Sequence, residues 1–250
     1  MMYVNNPNLP VNAKIVLMGE KYRFLVDTLR DNGLDTILVP NNPNVDERLS
    51  SHADLSIVLV SPKTIYMAKY LENSDFSREL EVLGFDIIIP DIYQCKLYPE
   101  DCQFNICSWS KYLLYNEKTA DKEVISGFLN SRDIIQLKCK QGYCKCLVAV
   151  VDSNSIITSD PGIAKICAEQ GIDVLKIEAG HIDLDGFDYG FIGGAAFKAS
   201  KDTMIFTGSL DAHPNKEDIL NFLSARNIKL KFLSDKKIFD VGSILPIIEK

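Results

Sequence analysis

A short pattern recurs five times along this 250-residue sequence, and it constrains the fold more than any single motif does. In each copy a glycine or a small polar residue stands two positions before a charged residue, and an apolar run follows. Clear copies begin at Gly33 and Gly84, weaker copies begin at Ser131 and Gly171, and a last copy begins at Asn227. Recurrence at a period of about 50 residues indicates an array of similar supersecondary units.

Each copy ends a predicted helix and begins a predicted strand. Ahead of Gly33, the side chains of Tyr22, Leu25 and Leu29 occupy one helical face, and the glycine supplies the left-handed residue that often follows a helix. From the second unit on, two β-like runs joined by a turn precede the helix. These runs are 55–60 and 64–68, 102–108 and 112–115, 146–151 and 155–158, and 191–197 and 204–207. The predicted unit is therefore strand–turn–strand–helix–strand, or ββαβ.

The first unit lacks a leading strand, because its strand at 14–19 runs straight into the helix. The segment 238–248 is a predicted strand with no helix after it. A closed circular array needs this arrangement, with the last strand completing the sheet of the first unit. We therefore predict an α/β fold in which residues 1–250 form a single domain of five ββαβ units, a five-bladed propeller closed by the C-terminal strand. An open sheet with βαβ crossovers is the alternative, and it does not account for the extra strand in four units.

Composition argues against several classes of function. A net charge of −7, a pI near 5.1 and the absence of a Lys/Arg block predict that the protein does not bind nucleic acid. No apolar run reaches the roughly 18–20 residues of a membrane span, which predicts no membrane association. Seven cysteines without a secretory leader predict a cytoplasmic protein with free thiols. Cysteine spacing without a C-x2-C pair predicts no metal site, and the lack of glycine-rich nucleotide motifs agrees with the prediction that there is no cofactor.

Several segments resemble an uncharacterised clostridial-type family that has the fold of guanidino-group-modifying enzymes, the pentein fold. They read GYCKC at 142–146, IITSD at 156–160, YGFIGG at 189–194, DVGSILP at 240–246 and HAD at 52–54. The resemblance covers nearly the whole chain. It implies a propeller whose inner strands begin around a central channel. Arginine deiminases, amidinotransferases and dimethylarginine hydrolases have this fold, as does a ribosome anti-association factor without catalytic activity.

The resemblance implies that the site lies at the starts of the inner strands. The expected catalytic residues are Cys146, Lys145 and Ser243, and the expected ligand-binding residues are His52, Asp54, Asn105, Gly193, Gly194 and Asp240. Enzymes of this fold grip a guanidinium group with acidic side chains and attack its carbon with a cysteine on the C-terminal strand. This sequence has no cysteine after Cys167; Ser243 stands nearest to that place, with no base evident beside it.

Two functions remain open. The first is binding, hydrolysis or group transfer of a small cationic guanidino- or amide-containing molecule, with Cys146 or Cys144 as the thiolate and Lys145 lowering its pKa. The second is a non-catalytic binding or interaction protein that uses the propeller as a docking surface. A channel lined by Asp54, Asn105 and Lys145 favours the first, whereas a channel filled by apolar side chains favours the second. The oligomeric state is open.

Overall fold

The computed structural model describes residues 2–250, which form sixteen short strands and five α-helices. The strands are β1 (Met2–Tyr3), β2 (Ala13–Gly19), β3 (Asp35–Val39), β4 (Ile57–Leu59), β5 (Thr64–Met67), β6 (Asp86–Ile88), β7 (Cys107–Trp109), β8 (Tyr112–Tyr115), β9 (Ile135–Lys138), β10 (Val148–Asp152), β11 (Ser155–Thr158), β12 (Asp173–Lys176), β13 (Ala196–Ser200), β14 (Thr203–Phe206), β15 (Lys229–Phe232) and β16 (Leu245–Glu249). The helices are α1 (Val26–Asp31), α2 (Asp75–Val82), α3 (Lys122–Ser131), α4 (Pro161–Glu169) and α5 (Lys216–Ser224). With six to ten residues each, these helices are too short to cross a membrane.

The strands form five small sheets, and the sheets repeat one pairing scheme. In the fourth unit, β10 pairs antiparallel with β11, so that Val148 lies opposite Thr158. After helix α4 the chain returns as β12, which pairs parallel with β11 and places Asp173 opposite Ser155. The sheets β4-β5-β6, β7-β8-β9 and β13-β14-β15 follow the same scheme. The ββαβ unit predicted from the repeat is thus present in all four units for which it was predicted in full.

The C-terminal strand belongs to the first sheet, whose strand order is β1-β16-β2-β3. Strand β16 pairs antiparallel with β2, with Leu245 opposite Leu17, and β2 pairs parallel with β3. Strand β16 therefore occupies the place that the leading hairpin strand occupies in the other sheets. The edge strand β1 was not predicted, because two residues are too few to show a periodicity.

The inner strands begin later than the sequence predicts. Strands β7, β10 and β13 begin at Cys107, Val148 and Ala196, whereas the predicted runs begin at 102, 146 and 191. Most residues in the segments ahead of these strands are buried although they lie outside the sheet ladders. A buried apolar run does not by itself distinguish such a lead segment from the strand that follows it.

The five helices differ in how their ends are capped. Asp121 and Asp160 accept backbone N–H groups at the starts of α3 and α4. Asn215 stands before α5 but does not cap it, because its Oδ1 accepts the backbone N–H of Glu178. Left-handed φ angles follow four helices, at Gly33, Gly84, Gly171 and Asn227. The third copy differs, since Arg132 leaves α3 in extended backbone.

Five apolar clusters pack the sheets against one another. Leu17 of the first sheet packs with Ile57 of the second. The next three clusters join the second sheet to the third, the third to the fourth and the fourth to the fifth. In the last cluster Val16 of the first sheet packs with Phe197 of the fifth. Each sheet therefore has two neighbouring sheets.

Candidate functional site

A lead segment precedes one strand of each of the five sheets, and one residue of each lead segment lies at a common centre. That residue stands two or three positions before the first residue of the strand. These residues are Asp54 before β4, Asn105 before β7, Cys146 before β10, Gly194 before β13 and Ser243 before β16. All five are buried. The shared offset explains why the site combines residues that are far apart in the sequence.

Hydrogen bonds connect these lead segments in an unbroken ring. The contacts are Asp54 N to Gly242 O (3.2 Å), Asn105 Nδ2 to Asp54 O (3.4 Å), Cys146 N to Asn105 Oδ1 (3.2 Å), Gly193 N to Cys146 O (2.7 Å) and Ser243 N to Gly194 O (3.4 Å). Because buried backbone polar groups must find partners, this ring fixes the spacing of the segments. The side chains that project from them are held with it.

A side-chain network occupies the middle of the ring, with Asp54 at its centre. The Asp54 Oδ2 atom accepts hydrogen bonds from Cys146 Sγ (3.1 Å) and Ser243 Oγ (2.5 Å). Asn105 Nδ2 lies 3.2 Å from Cys146 Sγ on the other side of the thiol. The Lys145 Nζ donates to Ser243 Oγ (3.1 Å). The Ser243 hydroxyl therefore bridges the Lys145 ammonium group and the Asp54 carboxylate.

The expectation that Lys145 activates a thiol is wrong for this structure. Burial and the nearby carboxylates of Asp54 and Asp240 raise the pKa of Cys146 well above its ordinary value. The Lys145 Nζ is directed instead to Ser243 and to the carbonyl oxygen of Gly193 (3.0 Å).

Cys144 does not carry an activated thiol either. It is fully buried, and its Sγ lies 3.3 Å from the Sγ of Cys139. The hydrogen bond between the two thiols, together with burial, raises the pKa of Cys144 well above its ordinary value.

Ser243 has a neighbour that the sequence did not reveal. The sequence shows no base beside it, yet the fold places Lys145 within hydrogen-bond distance. Its φ of 71° lies in the left-handed region, which costs a non-glycine residue conformational energy. The hydroxyl is fully buried. It joins Lys145 to Asp54 rather than facing a cavity.

The glycines of the YGFIGG segment make room for an acidic side chain and for the backbone. A Cβ atom on Gly194 would collide with Asp240 Oδ1, and one on Gly193 would collide with the carbonyl oxygens of Lys145 and Val148. The Asp240 carboxylate accepts the backbone N–H groups of Phe191 (2.9 Å) and Gly242 (2.8 Å). Burial nevertheless raises the pKa of Asp240 to about 6. Neither glycine lines the pocket described below, and their role as ligand-binding residues stays a prediction.

His52 is buried beside Asp54, where its ring packs on Gly242 so closely that any side chain at position 242 would collide with it. Burial lowers the pKa of His52 to about 4, so the ring is neutral at physiological pH. Among the described residues, neither His52 Nε2 nor Asp54 Oδ1 has a hydrogen-bond partner. One ligand atom each from His52, Asp54 and Cys146 lies within 4.8 Å of the others, a grouping that could hold a metal ion.

A pocket of about 120 Å³ borders the polar network. His52, Cys146 and Asp240 supply its polar lining. Its walls are largely aromatic and comprise Tyr143, Phe187, Tyr189 and Phe191 with Leu49 and Leu184. A second, mostly apolar crevice is lined by Leu17, Ile57, Phe104 and Ile247 and also reaches Asp54 and Lys145. The polar network therefore borders both an aromatic pocket and an apolar crevice.

The aromatic walls are the part of the site that sequence reasoning missed. Tyr143 and Phe191 stand inside the quoted GYCKC and YGFIGG segments, but nothing in those strings gives the direction of their side chains. The Tyr143 hydroxyl donates to buried Asp101 Oδ2 (2.5 Å), which fixes the ring at the wall.

Comparison with known proteins identifies the fold. An amidinotransferase from Microseira wollei in the saxitoxin biosynthetic pathway is similar, with a TM-score of 0.64 and 9% identity over 100% of this chain and 98% of that one. Inosamine-phosphate amidinotransferase from Streptomyces griseus gives a TM-score of 0.61 and 10% identity over 100% and 97% of the two chains. DDAH from Pseudomonas aeruginosa, in complex with citrulline, gives 0.55 and 10% over 89% and 92%.

None of the curated proteins matches the sequence. Residues 17–245 match a family of unknown function, DUF6873. The fold implied by the sequence resemblance is therefore confirmed, and the matching family is indeed one of unknown function. The clostridial-type origin stays a prediction. Its five small mixed sheets and its structural neighbours place this chain in the pentein fold, and it belongs to the DUF6873 family of unknown function.

Proposed function

We propose that the protein binds a small cationic molecule carrying a guanidino or amidino group in the aromatic pocket and modifies that group with Cys146 as the nucleophile. The observation that carries this proposal is the chemistry of the pocket, in which Asp240 and Cys146 lie at the base of aromatic walls. A volume of about 120 Å³ limits the ligand to a small molecule or to one small group of it. The neighbouring amidinotransferases act on such groups, although identities of 9–10% relate the chains by fold alone.

In this proposal the five sheets are the blades of a closed propeller. The pairing of β16 with β2 supports closure, as does the apolar cluster between the first and fifth sheets. The ring of hydrogen bonds around the centre adds a third, independent argument. A closed ring would hold the pocket floor rigid, so that little ordering entropy is lost when a ligand binds.

A cation fits the pocket for two electrostatic reasons. The carboxylate of Asp240 is buried with two backbone N–H donors and no cationic side chain among its hydrogen-bond partners, so a bound cation would supply its counter-charge. The faces of Tyr189 and Phe191 attract cations through the quadrupole of the aromatic ring. Since the pKa of Asp240 is about 6, affinity for a cation is expected to rise as the pH increases through that value.

The covalent step follows from the contacts of Cys146. Its hydrogen passes to Asp54 Oδ2, 3.1 Å away, while Sγ forms a bond to the guanidino carbon. The bond from that carbon to the departing amine breaks, and the amine takes the proton back from Asp54. Water then adds to the carbon, the C–S bond breaks, and the thiol re-forms with release of a urea. An amine in place of water would give amidino transfer.

Binding and turnover of guanidino compounds test the proposal. Titration calorimetry with alkylguanidines and with the isosteric alkylureas is expected to detect binding of the cations alone. Asp240→Asn should weaken that binding at least tenfold, whereas the exposed Asp183→Asn should leave it unchanged. Binding of ureas as tight as that of guanidines would contradict a cation site.

The role of the thiol is tested separately. With a turned-over guanidine, Cys146→Ala should abolish release of the amine while leaving binding intact. Cys144→Ala is the matched control, because it removes a buried thiol two residues away. An amidino adduct on Cys146, seen by mass spectrometry of the quenched protein, would support the mechanism. Turnover by Cys146→Ala at the wild-type rate would refute it.

A non-catalytic binding protein is the second candidate. The raised pKa of the Cys146 thiol favours it, as does the lack of a cysteine on the C-terminal strand. If this candidate is correct, guanidines should bind and Asp240→Asn should weaken their binding, but neither amine release nor a covalent adduct should be detected. The same two experiments therefore separate the two functions.

A further inference from the structure

We propose that His52, Asp54 and Cys146 form a binding site for a divalent transition-metal ion of the zinc type at the base of the aromatic pocket. This inference goes beyond the proposed function and does not depend on it. It was not foreseen from cysteine spacing, because the donors come from two separate sheets rather than from one paired motif.

The three side chains offer the donor set that zinc prefers. An imidazole nitrogen, a carboxylate oxygen and a thiol sulfur lie within 4.8 Å of one another. Three protein ligands with one position left to water or substrate is the usual arrangement of catalytic zinc sites. The open position has a place here, since the pocket is lined by His52 and Cys146 themselves.

Two of the three side chains each have a buried polar atom without a hydrogen-bond partner. His52 Nε2 and Asp54 Oδ1 are buried and have no hydrogen-bond partner among the described residues. A buried polar atom without a partner destabilises the folded protein, and two such atoms lie in this one cluster. One metal ion would satisfy both atoms at once.

Surrounding contacts hold the ligands in position. Asp54 Oδ2 is fixed by Ser243 and leaves Oδ1 for the ion. The His52 ring packs directly on Gly242, which restricts its rotation. Such outer contacts commonly affect metal affinity 10–100-fold.

Charge also favours a divalent ion. On binding, Cys146 loses its proton to solvent, so the thiolate and the Asp54 carboxylate together balance two positive charges. Lys145 lies one hydroxyl away and remains paired through Ser243 with the second oxygen of Asp54. A metal-bound Cys146 cannot attack a guanidino carbon, so the metal ion and the proposed covalent chemistry exclude each other.

The first experiment uses the wild-type chain and zinc alone. After dialysis against a chelator, calorimetry with Zn²⁺ should give one ion per chain. Alkylation with iodoacetamide, followed residue by residue with mass spectrometry under mildly denaturing pulses, should show zinc protecting Cys146. The partly exposed Cys95 should label equally with and without zinc. Protection of Cys139 and Cys144 instead of Cys146, or no bound ion, would overturn the proposal.

Variants then assign the ligands with a spectroscopic readout. Co²⁺ in the wild-type protein should show a thiolate-to-cobalt charge-transfer band, which Cys146→Ser should abolish and Cys144→Ser should retain. His52→Gln and Asp54→Asn should each weaken Zn²⁺ binding at least tenfold. Undiminished binding by all three ligand variants would refute the site.

The metal site and the proposed function can fail independently. Asp240→Asn removes an acid that is not among the three metal ligands, so the thiolate-to-cobalt band should remain while the binding of guanidines is weakened. Zinc binding without guanidine binding would leave this inference standing and reject the proposed function. Guanidine binding without zinc binding would do the reverse.

Discussion

The centre of the molecule and the five apolar clusters around it are built by the same repeat, yet they use it differently. The clusters repeat one chemistry: aliphatic and aromatic side chains from two neighbouring sheets pack together in each. At the centre, the equivalent positions carry five different residues, which are Asp54, Asn105, Cys146, Gly194 and Ser243. The repeat therefore sets where a side chain stands, whereas its chemistry is set separately in each unit.

This difference predicts different responses to substitution. A cluster member interacts through its shape and volume, so a similar apolar residue can replace it. A member of the central network has a named partner, and the loss of one group leaves another polar group buried and unpaired. Substitutions of equal volume should therefore be costly at the centre and mild in the clusters.

The largest expected effect is that of Lys145→Met, which keeps the length of the side chain and removes its charge. The Asp54 carboxylate then loses the ammonium group that reaches it through Ser243. Loss of a donor that leaves its buried partners unsatisfied typically costs about 1–3 kcal/mol, and more for charged groups. Chemical denaturation should show this loss, and Lys145→Met combined with Asp54→Asn should recover part of it.

Lys198→Met is the matched control for that experiment. Lys198 is also buried, and burial lowers its pKa to about 8, but its Nζ donates to the carbonyl oxygen of Lys201 rather than to a carboxylate. Its replacement should change the free energy of unfolding by no more than about 1 kcal/mol. Equal losses in the two variants would mean that burial alone, and not the Asp54 network, determines the effect.

The second prediction concerns pH, because His52 and Asp240 have opposite effects over nearly the same range. The lowered pKa of His52, about 4, gives stability that is present above pH 6.5 and is lost as the pH falls toward 4. The raised pKa of Asp240, about 6, gives stability that is present below pH 3.8 and is lost as the pH rises through 6. Each contribution amounts to at most about 3 kcal/mol.

Metal-free protein and two variants separate these contributions. Relative to wild type between pH 4 and 6, His52→Gln should lose stability as the pH rises, and Asp240→Asn should gain it. Urea denaturation at each pH measures both differences. Slopes of the same sign for the two variants would contradict the assigned protonation of one of these residues.

The sequence was sufficient to predict the scaffold because the scaffold is repetitive. The helix-ending residues at Gly33, Gly84 and Gly171 and the surplus C-terminal strand each have a local signature. The central positions were also predicted, since the resemblance located the starts of the inner strands. Cys146, Asp54 and Asn105 do lie together there.

What could not be predicted is how those side chains pair. Whether Lys145 lies against a thiol or a hydroxyl depends on the rotation of one lead segment against another, and no sequence pattern encodes it. The aromatic wall has the same origin, because loop residues such as Phe187 and Tyr189 show no periodicity. The metal-ligand grouping combines positions 52 and 54 with position 146. Motifs that identify metal sites by short ligand spacings cannot detect ligands about 90 residues apart.

The smallest expected effect lies in the clusters. Ile219 of α5 is fully buried between the fourth and fifth sheets, and Ile219→Val removes one methyl group from this packing. The loss of unfolding free energy should be about 0.5–1.5 kcal/mol and the same at pH 5 and pH 7, because no titratable group contributes to the contact. Binding of zinc and of guanidines should stay within twofold of wild type. A larger change in binding would mean that cluster packing sets the geometry of the central ring. The clusters and the centre would then respond to substitution together, and the contrast drawn between them would be wrong.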